Sequence, residues 1–223
     1  MKTALWGCCT LTLALSSALH AEDRARVHLS LSGGTAIPAA PAVFRERWKH
    51  GMEYGLGLGV TLSSRLSVVG EAEYSRFSFN EADAEGFFDE EGFDLQFVSV
   101  RGGATQVLAT SAALKLRLSG RPRTAALYAL AGGGYSQRWL KRMAVGGYFG
   151  DPRDPFNPSV SQRVEQLQPA RNDAGPSFFV GLGLEVPLGG KSSFFYEARY
   201  AAALGGEESR KYFPVRFGLS LGF

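Results

Sequence analysis

At 223 residues the chain has room for one domain, and its 28 glycines, 16 phenylalanines and 8 tyrosines weight it towards sheet rather than helix. Its two cysteines, Cys8 and Cys9, lie in a leading segment expected to be removed, which excludes disulfides, thiolate metal sites and cysteine nucleophiles from the mature chain. Loss of Lys2 takes the 24 Lys and Arg to 23 against 21 Asp and Glu, and a net charge of only +2 argues against a nucleic-acid partner.

Taken in chain order, residues 1–21 read as a signal peptide. Lys2 is the basic start, Ala4 to Leu19 is nearly free of charge, and Ala18-Leu19-His20-Ala21 offers a small-residue cleavage site before Glu22-Asp23. The apolar core is shorter than the roughly 20 residues a spanning helix needs, and no basic cluster follows it. Residues 22–223 form the mature domain, in which runs with a period of two recur from end to end. Val27, Leu29, Leu31, Gly33 and Thr35 alternate with His28, Ser30, Ser32 and Gly34 in a first strand. Met52 to Leu62 form a second, with Glu53 on its polar face. The third runs from about Leu66 to Arg76, with Val68, Ala72 and Tyr74 opposed to Glu71 and Glu73. The fourth runs from about Val107 to Leu118, with Leu114, Leu116 and Leu118 opposed to Lys115 and Arg117. Ala125 to Tyr135 make the fifth, and Phe178 to Leu188 the sixth, with Glu185 among its glycines. The seventh sets Phe194, Tyr196, Ala198 and Tyr200 against Phe195, Glu197 and Arg199. The eighth sets Phe213, Val215, Phe217, Leu219, Leu221 and Phe223 against Tyr212, Pro214, Arg216, Gly218, Ser220 and Gly222.

A soluble sandwich would show the same alternation, but the connections separate the two classes. Links at Ser63 to Arg65, Ser119 to Thr124 and Gly189 to Ser192 are short, whereas Pro38 to His50, Phe77 to Gln106 and about Ser136 to Ser177 are long, with Gly205 to Lys211 the shortest of that set. Short and long links alternate strictly, as in a barrel with one end in the periplasm and the other outside. Glu53, Glu71, Glu73, Lys115, Arg117, Glu185, Glu197, Arg199 and Arg216 all fall opposite the large apolar residues. In a barrel that face is the lumen, where these charges can pair away from bulk water, and about eight strands enclose little more than their own side chains. The expected fold is therefore all-β, an eight-stranded antiparallel up-and-down transmembrane β-barrel with long extracellular loops and short periplasmic turns, a count of ten strands remaining open.

The closing stretch YFPVRFGLSLGF, from Tyr212 to Phe223, resembles the terminal signal by which bacterial outer-membrane proteins are recognised for assembly. Together with ALYALAGGGYS, FFVGLGLEVPL and FFYEARY it resembles the small OmpA-like and OmpX-like barrels, often labelled porin-family proteins. The resemblance covers the strands, about half of the mature chain, and implies a bacterial outer-membrane location and an assembly signal at Phe213, Val215, Phe217, Leu219, Leu221 and Phe223. It implies contact with the barrel-assembly machinery, outer-membrane lipid and lipopolysaccharide, an extracellular ligand held by the loops, and a monomer. It does not carry an activity. The peptidoglycan-binding domain of full-length OmpA-type proteins is missing, so anchoring to the cell wall is not expected.

Candidate chemistry is sparse. His28 with Ser30 superficially resembles the His-x-Ser pair of outer-membrane lipid A deacylases, but both point into the lumen near the periplasmic end with no positioned carboxylate, so a packed lumen histidine is expected. Arg45, Arg47, Trp48, Lys49 and His50 form a basic and aromatic cluster in the first loop that could sit on lipopolysaccharide phosphates, the plainer reading being a solvated rim. The second loop, Asn80 to Asp94, carries seven acids, Glu81, Asp83, Glu85, Asp89, Glu90, Glu91 and Asp94, with no base. Such oxygen-rich segments can hold Ca²⁺, yet the spacing is not that of an EF-hand and a mobile acidic loop is the expectation. The proline-rich Gly146 to Ser161 reads as a polar cap or a recognition element. Tyr54, Tyr74, Tyr128, Tyr196, Tyr200 and Phe223 are assigned to the lipid face or strand ends as an interfacial girdle. No phosphate-cradling loop, zinc spacing or nucleotide fingerprint appears, so no cofactor, metal or catalytic residue is expected. The leading expectation is a structural, surface-interaction or adhesion role. A narrow channel for small solutes and a lipid A-modifying enzyme are the competitors.

Overall fold

The computed structural model describes residues 26–80, 95–119, 124–141, 143–149, 162–168, 171–205 and 209–223. The expected signal peptide at 1–21, the acids of 81–94 and residues 150–161 of the proline-rich segment lie outside the described residues. The elements are β1 (Arg26–Ala40), a short helix α1 (Ala42–Arg47), β2 (Gly51–Thr61), β3 (Leu66–Ser78), β4 (Leu95–Gly102), β5 (Ala104–Arg117), β6 (Ala126–Leu140), β7 (Met143–Phe149), β8 (Gln162–Gln168), β9 (Arg171–Gly189), β10 (Ser192–Ala203) and β11 (Arg210–Gly222).

Eight of the strands close into a barrel in the order β1, β11, β10, β9, β6, β5, β3, β2. Every neighbouring pair is antiparallel, and β1 pairs with both β2 and β11 to close the ring. Closure removes sheet edges, so the backbone N–H and C=O groups of the wall are satisfied within the wall itself. No helix among the described residues is long and apolar enough to cross a membrane.

The period of two decides what each face meets. Leu31 stands opposite Leu56 on β2 and Leu219 on β11, whereas Ser32, the next residue, stands opposite Gly55 and Gly218. The first set faces out, and Leu31, Leu182 and Phe217 are 62%, 61% and 55% exposed. The second set faces the lumen. A belt this apolar around the whole wall is a liability in water and is matched to hydrocarbon.

The ends of β2, β5 and β9 and the starts of β3, β6 and β10 lie at one end, together with both Arg26 and Phe223, whose N–H donates to the Val27 carbonyl at 2.8 Å. In the β9–β10 turn Gly189 and Gly190 take φ of 109° and 60°, a region open to glycine and costly for other residues. The long links gather at the opposite end, as their alternation in the sequence requires.

Two features there differ from the sequence expectation. First, β6 and β9 run past Tyr135 and Phe178 to pair Gln137 with Ala174, Arg138 with Asp173 and Leu140 with Arg171. The expected ends were where large outward residues stop, but the ladder continues above the apolar belt because a wall no longer touching lipid can carry Gln137 outside. Second, β4, β7 and β8 form a separate three-stranded antiparallel sheet inside segments expected to be loops.

Candidate functional site

The inward residues of β2, β3, β10 and β11 bring Glu53, Glu71, Glu73, Glu197, Arg199 and Arg216 to one level of the lumen. Glu197 is the cross-strand neighbour of Arg216, so the wall itself sets that pair. Both guanidiniums then reach across the lumen to β3. Arg199 donates to Glu73 at 2.7 Å through Nη1 and to Glu71 at 2.9 Å through Nη2, and its Nε pairs with Glu197. Arg216 donates to Glu73 at 2.5 Å, to Glu71 at 2.7 Å and, through Nε, to Glu197 at 2.8 Å. The Arg199 guanidinium also lies 4.2 Å from the Phe179 ring centroid, a cation–π contact that suits a desolvated arginine. Arg199 and Arg216 are each 3% exposed. Charges so deeply buried persist only when their partners are in place, since removing one partner of a buried pair costs about 3–5 kcal/mol.

Glu53 lies at the edge of this layer. Its Oε2 accepts from the Ser75 hydroxyl at 3.3 Å, while Oε1 has no hydrogen-bond partner among the described residues. Three carboxylates, Glu71, Glu73 and Glu197, thus share two guanidiniums, with Glu53 beside them.

Tyr128 is the residue sequence reasoning misplaced. The expectation places it in the girdle of the lipid face or strand ends, but it is 2% exposed and its hydroxyl donates to Glu197 Oε2 at 2.9 Å inside the lumen. In Ala126 to Gly134 both faces are apolar or small, so alternation there carries no sign of which side faces in. Tyr128 stands opposite Gly183, and a Cβ at Gly183 would run into its ring. His28 over Gly59, Phe179 over Gly132 and Phe195 over Gly218 repeat the arrangement. The lumen glycines are the floor on which inward rings lie. The other residues assigned to the girdle, Tyr54, Tyr74, Tyr196, Tyr200 and Phe223, are on the outer face or at the strand end.

Nearer the short-turn end, Lys115 pairs with Glu185 at 2.6 Å and lies 4.0 Å from the Tyr128 ring centroid. Ser193 donates to the other Glu185 oxygen at 2.7 Å. Arg117 is not part of that pair and lines the recess below it, and no ion pair joins it to a described residue. His28 and Ser30 are both on the lumen face at this end, with no hydrogen bond between them among the described residues.

At the long-loop end, sequence reasoning missed two groups. Arg138 pairs with Asp173, its direct cross-strand neighbour, and Arg210 lies 3.6 Å from the same carboxylate. Counting in twos past the expected ends of β6 and β9 would have put both on the lumen face. The second group is an aromatic cap. Helix α1 buries Phe44 against Phe77 at 5.4 Å between centroids, and Phe77 packs edge-on against Tyr212 at 5.9 Å. The first loop therefore folds back into the barrel mouth. Trp48 is held beside Phe79 by a β-bridge and an edge-to-face contact at 5.7 Å. Arg45, Lys49 and His50 remain exposed on its outside, with Arg45 paired to Glu46 at 2.9 Å.

Small cavities of about 20 and 30 Å³ flank the central layer, each with room for one or two waters. No group of three or more metal-ligating side chains occurs among the described residues. The terminal residues Phe213, Phe217, Leu219, Leu221 and Phe223 face outward, with Val215 half-buried beside them.

No protein-family description and no curated protein matches this chain. Solved structures do. The attachment invasion locus protein Ail of Yersinia pestis, in complex with the heparin analogue sucrose octasulfate, superposes with a TM-score of 0.50 at 13% identity, covering 90% of this chain and 99% of that one. OprG from Pseudomonas aeruginosa gives 0.49 at 11% identity over 89% and 96%, and Neisserial surface protein A gives 0.45 at 7% over 90% and 100%. At such identities likeness speaks for the fold alone: this chain has the architecture of the small eight-stranded barrels of the bacterial outer membrane.

Proposed function

We propose that this protein resides in the bacterial outer membrane and serves a structural, surface-interaction or adhesion-type role rather than a conductive or catalytic one. The observation that carries the reading is the layer of Arg199 and Arg216 with Glu71, Glu73 and Glu197, which packs the lumen cross-section with buried, ion-paired side chains. A conducting pore needs a continuous water path, and a filled layer flanked by cavities of one or two waters supports a plug. The apolar outer belt supports the membrane location, and the elaborated long-loop end, with α1 and the β4–β7–β8 sheet, supports display to the outside. In this reading the outward residues of β11 serve the barrel-assembly machinery, and the monomeric barrel contacts lipid and lipopolysaccharide through its belt and rim.

The test is twofold. In planar bilayers the purified protein passes no steady unitary current; steady currents abolished by plugging substitutions would make it a channel. Cells expressing it bind a target surface better than cells expressing a form lacking 81–94 and 150–161; equal binding defeats the adhesion reading. Changed acyl chains in mass spectra of lipid A would instead make it an enzyme.

A further inference from the structure

Below the Lys115–Glu185 pair the lumen widens into a recess of about 170 Å³ at the short-turn end. Arg65, Lys115, Arg117, Lys191 and His28 line it, and Glu185 is the one acid among its lining residues. Both oxygens of that acid are already engaged, Oε2 by Lys115 and Oε1 by Ser193. Among the described residues, none forms an ion pair with Arg65, Arg117 or Lys191. Ser64 and Ser220 add hydroxyls to the same wall.

We propose that this recess is a binding site for a phosphate-class oxyanion. Four Lys or Arg side chains against one satisfied carboxylate leave a positive field, and a recess with low-dielectric walls focuses it. Arginine forks match the oxygens of phosphate in geometry as well as charge, and the volume accommodates one phosphate group with a few waters. In the central layer both guanidiniums are already engaged by Glu71, Glu73 and Glu197, so an anion entering from the short-turn end finds cations without a described ion-pair partner only in the recess, and it stops there. The compartment the recess faces follows from the outer-membrane reading; the site itself does not depend on it. Phosphate could come from free solute or from the headgroup of a phospholipid.

The experiment uses the folded mature protein in a maltoside detergent, which contains no phosphate, at fixed ionic strength in chloride. Inorganic phosphate and dihexanoylphosphatidylglycerol are titrated separately by calorimetry. At least one is expected to bind saturably, and R65Q/R117Q/K191Q to weaken it about tenfold or more through loss of charge-assisted contacts. R76Q/K141Q, exposed towards the other end and outside the first-loop basic cluster, should leave binding unchanged. Tighter phosphate identifies a solute site and tighter lipid a headgroup site. Absence of saturable binding by both probes, or equal affinity in the triple variant, overturns the proposal. Heat-modifiable gel mobility checks folding. If the triple variant misfolds, R65Q and K191Q, which alter exposed side chains near the turns, are each expected to weaken binding about threefold, and unchanged affinity in both overturns the proposal as well.

Discussion

Glu197 of β10 stands directly opposite Arg216 of β11, and the two close an ion pair at 2.8 Å on the lumen face. That carboxylate also accepts from Tyr128 on β6 and pairs with Arg199, two residues along its own strand. One side chain therefore ties strands on both sides of β10 to the centre of the barrel. This junction is where the fold is most vulnerable to a single change.

Replacing Arg216 by Ala strands Glu71, Glu73 and Glu197 with one guanidinium among them. Urea unfolding in detergent should show a loss of about 3–5 kcal/mol. A form in which all six charged residues of the layer, Glu53 included, become well-packed apolar ones should be close to wild type, because the desolvation cost disappears with the charges. An unfolding midpoint unmoved by R216A would mean the layer is not desolvated.

Tyr128→Phe should cost about 1.5–3 kcal/mol, the range for a hydrogen bond to a charged group. Gly183→Val should cost about 1–3 kcal/mol by pressing a side chain into the Tyr128 ring, and Tyr128→Ala should relieve that clash. A double-mutant cycle reads the coupling, and strict additivity would show that the ring does not rest on the glycine.

Phe44→Ala empties the aromatic cap over Phe77 and Tyr212. A destabilisation of about 3 kcal/mol is expected, with faster proteolysis of residues 41–50. If cleavage there is as slow as in wild type, the first loop is not pinned by this residue.

Leu182→Arg places a cation in the outer belt and should cost about 2–4 kcal/mol in a bilayer, while Gln137→Arg, above the belt, should be near neutral. Equal costs at the two positions would be at odds with a lipid-facing wall.

Much of the architecture was legible because strand parity is local. Val27 to Thr35, Met52 to Leu62 and Phe213 to Phe223 each declare an inside and an outside within a few residues, and nothing distant can exchange the two faces without a slip in register. Legibility fails where that contrast fades: in Ala126 to Gly134, where nothing marks Tyr128 as inward, and beyond Tyr135 and before Phe178, where no apolar alternation shows that Arg138 and Asp173 belong to the ladder. Phe44 gave no signal, since a six-residue helix folding back into a mouth follows from the shape of the mouth.

By itself, then, the chain determined eight alternating ribbons, the order of short and long links, and which charges would share the interior, all properties of nearest neighbours along a strand. Only closure of the barrel decided the partners. Arg199 and Glu71 lie 128 residues apart and meet because register and strand tilt bring β10 and β3 to the same height across a narrow lumen. Parity selects the face a side chain enters; the distance across the ring selects what it finds there.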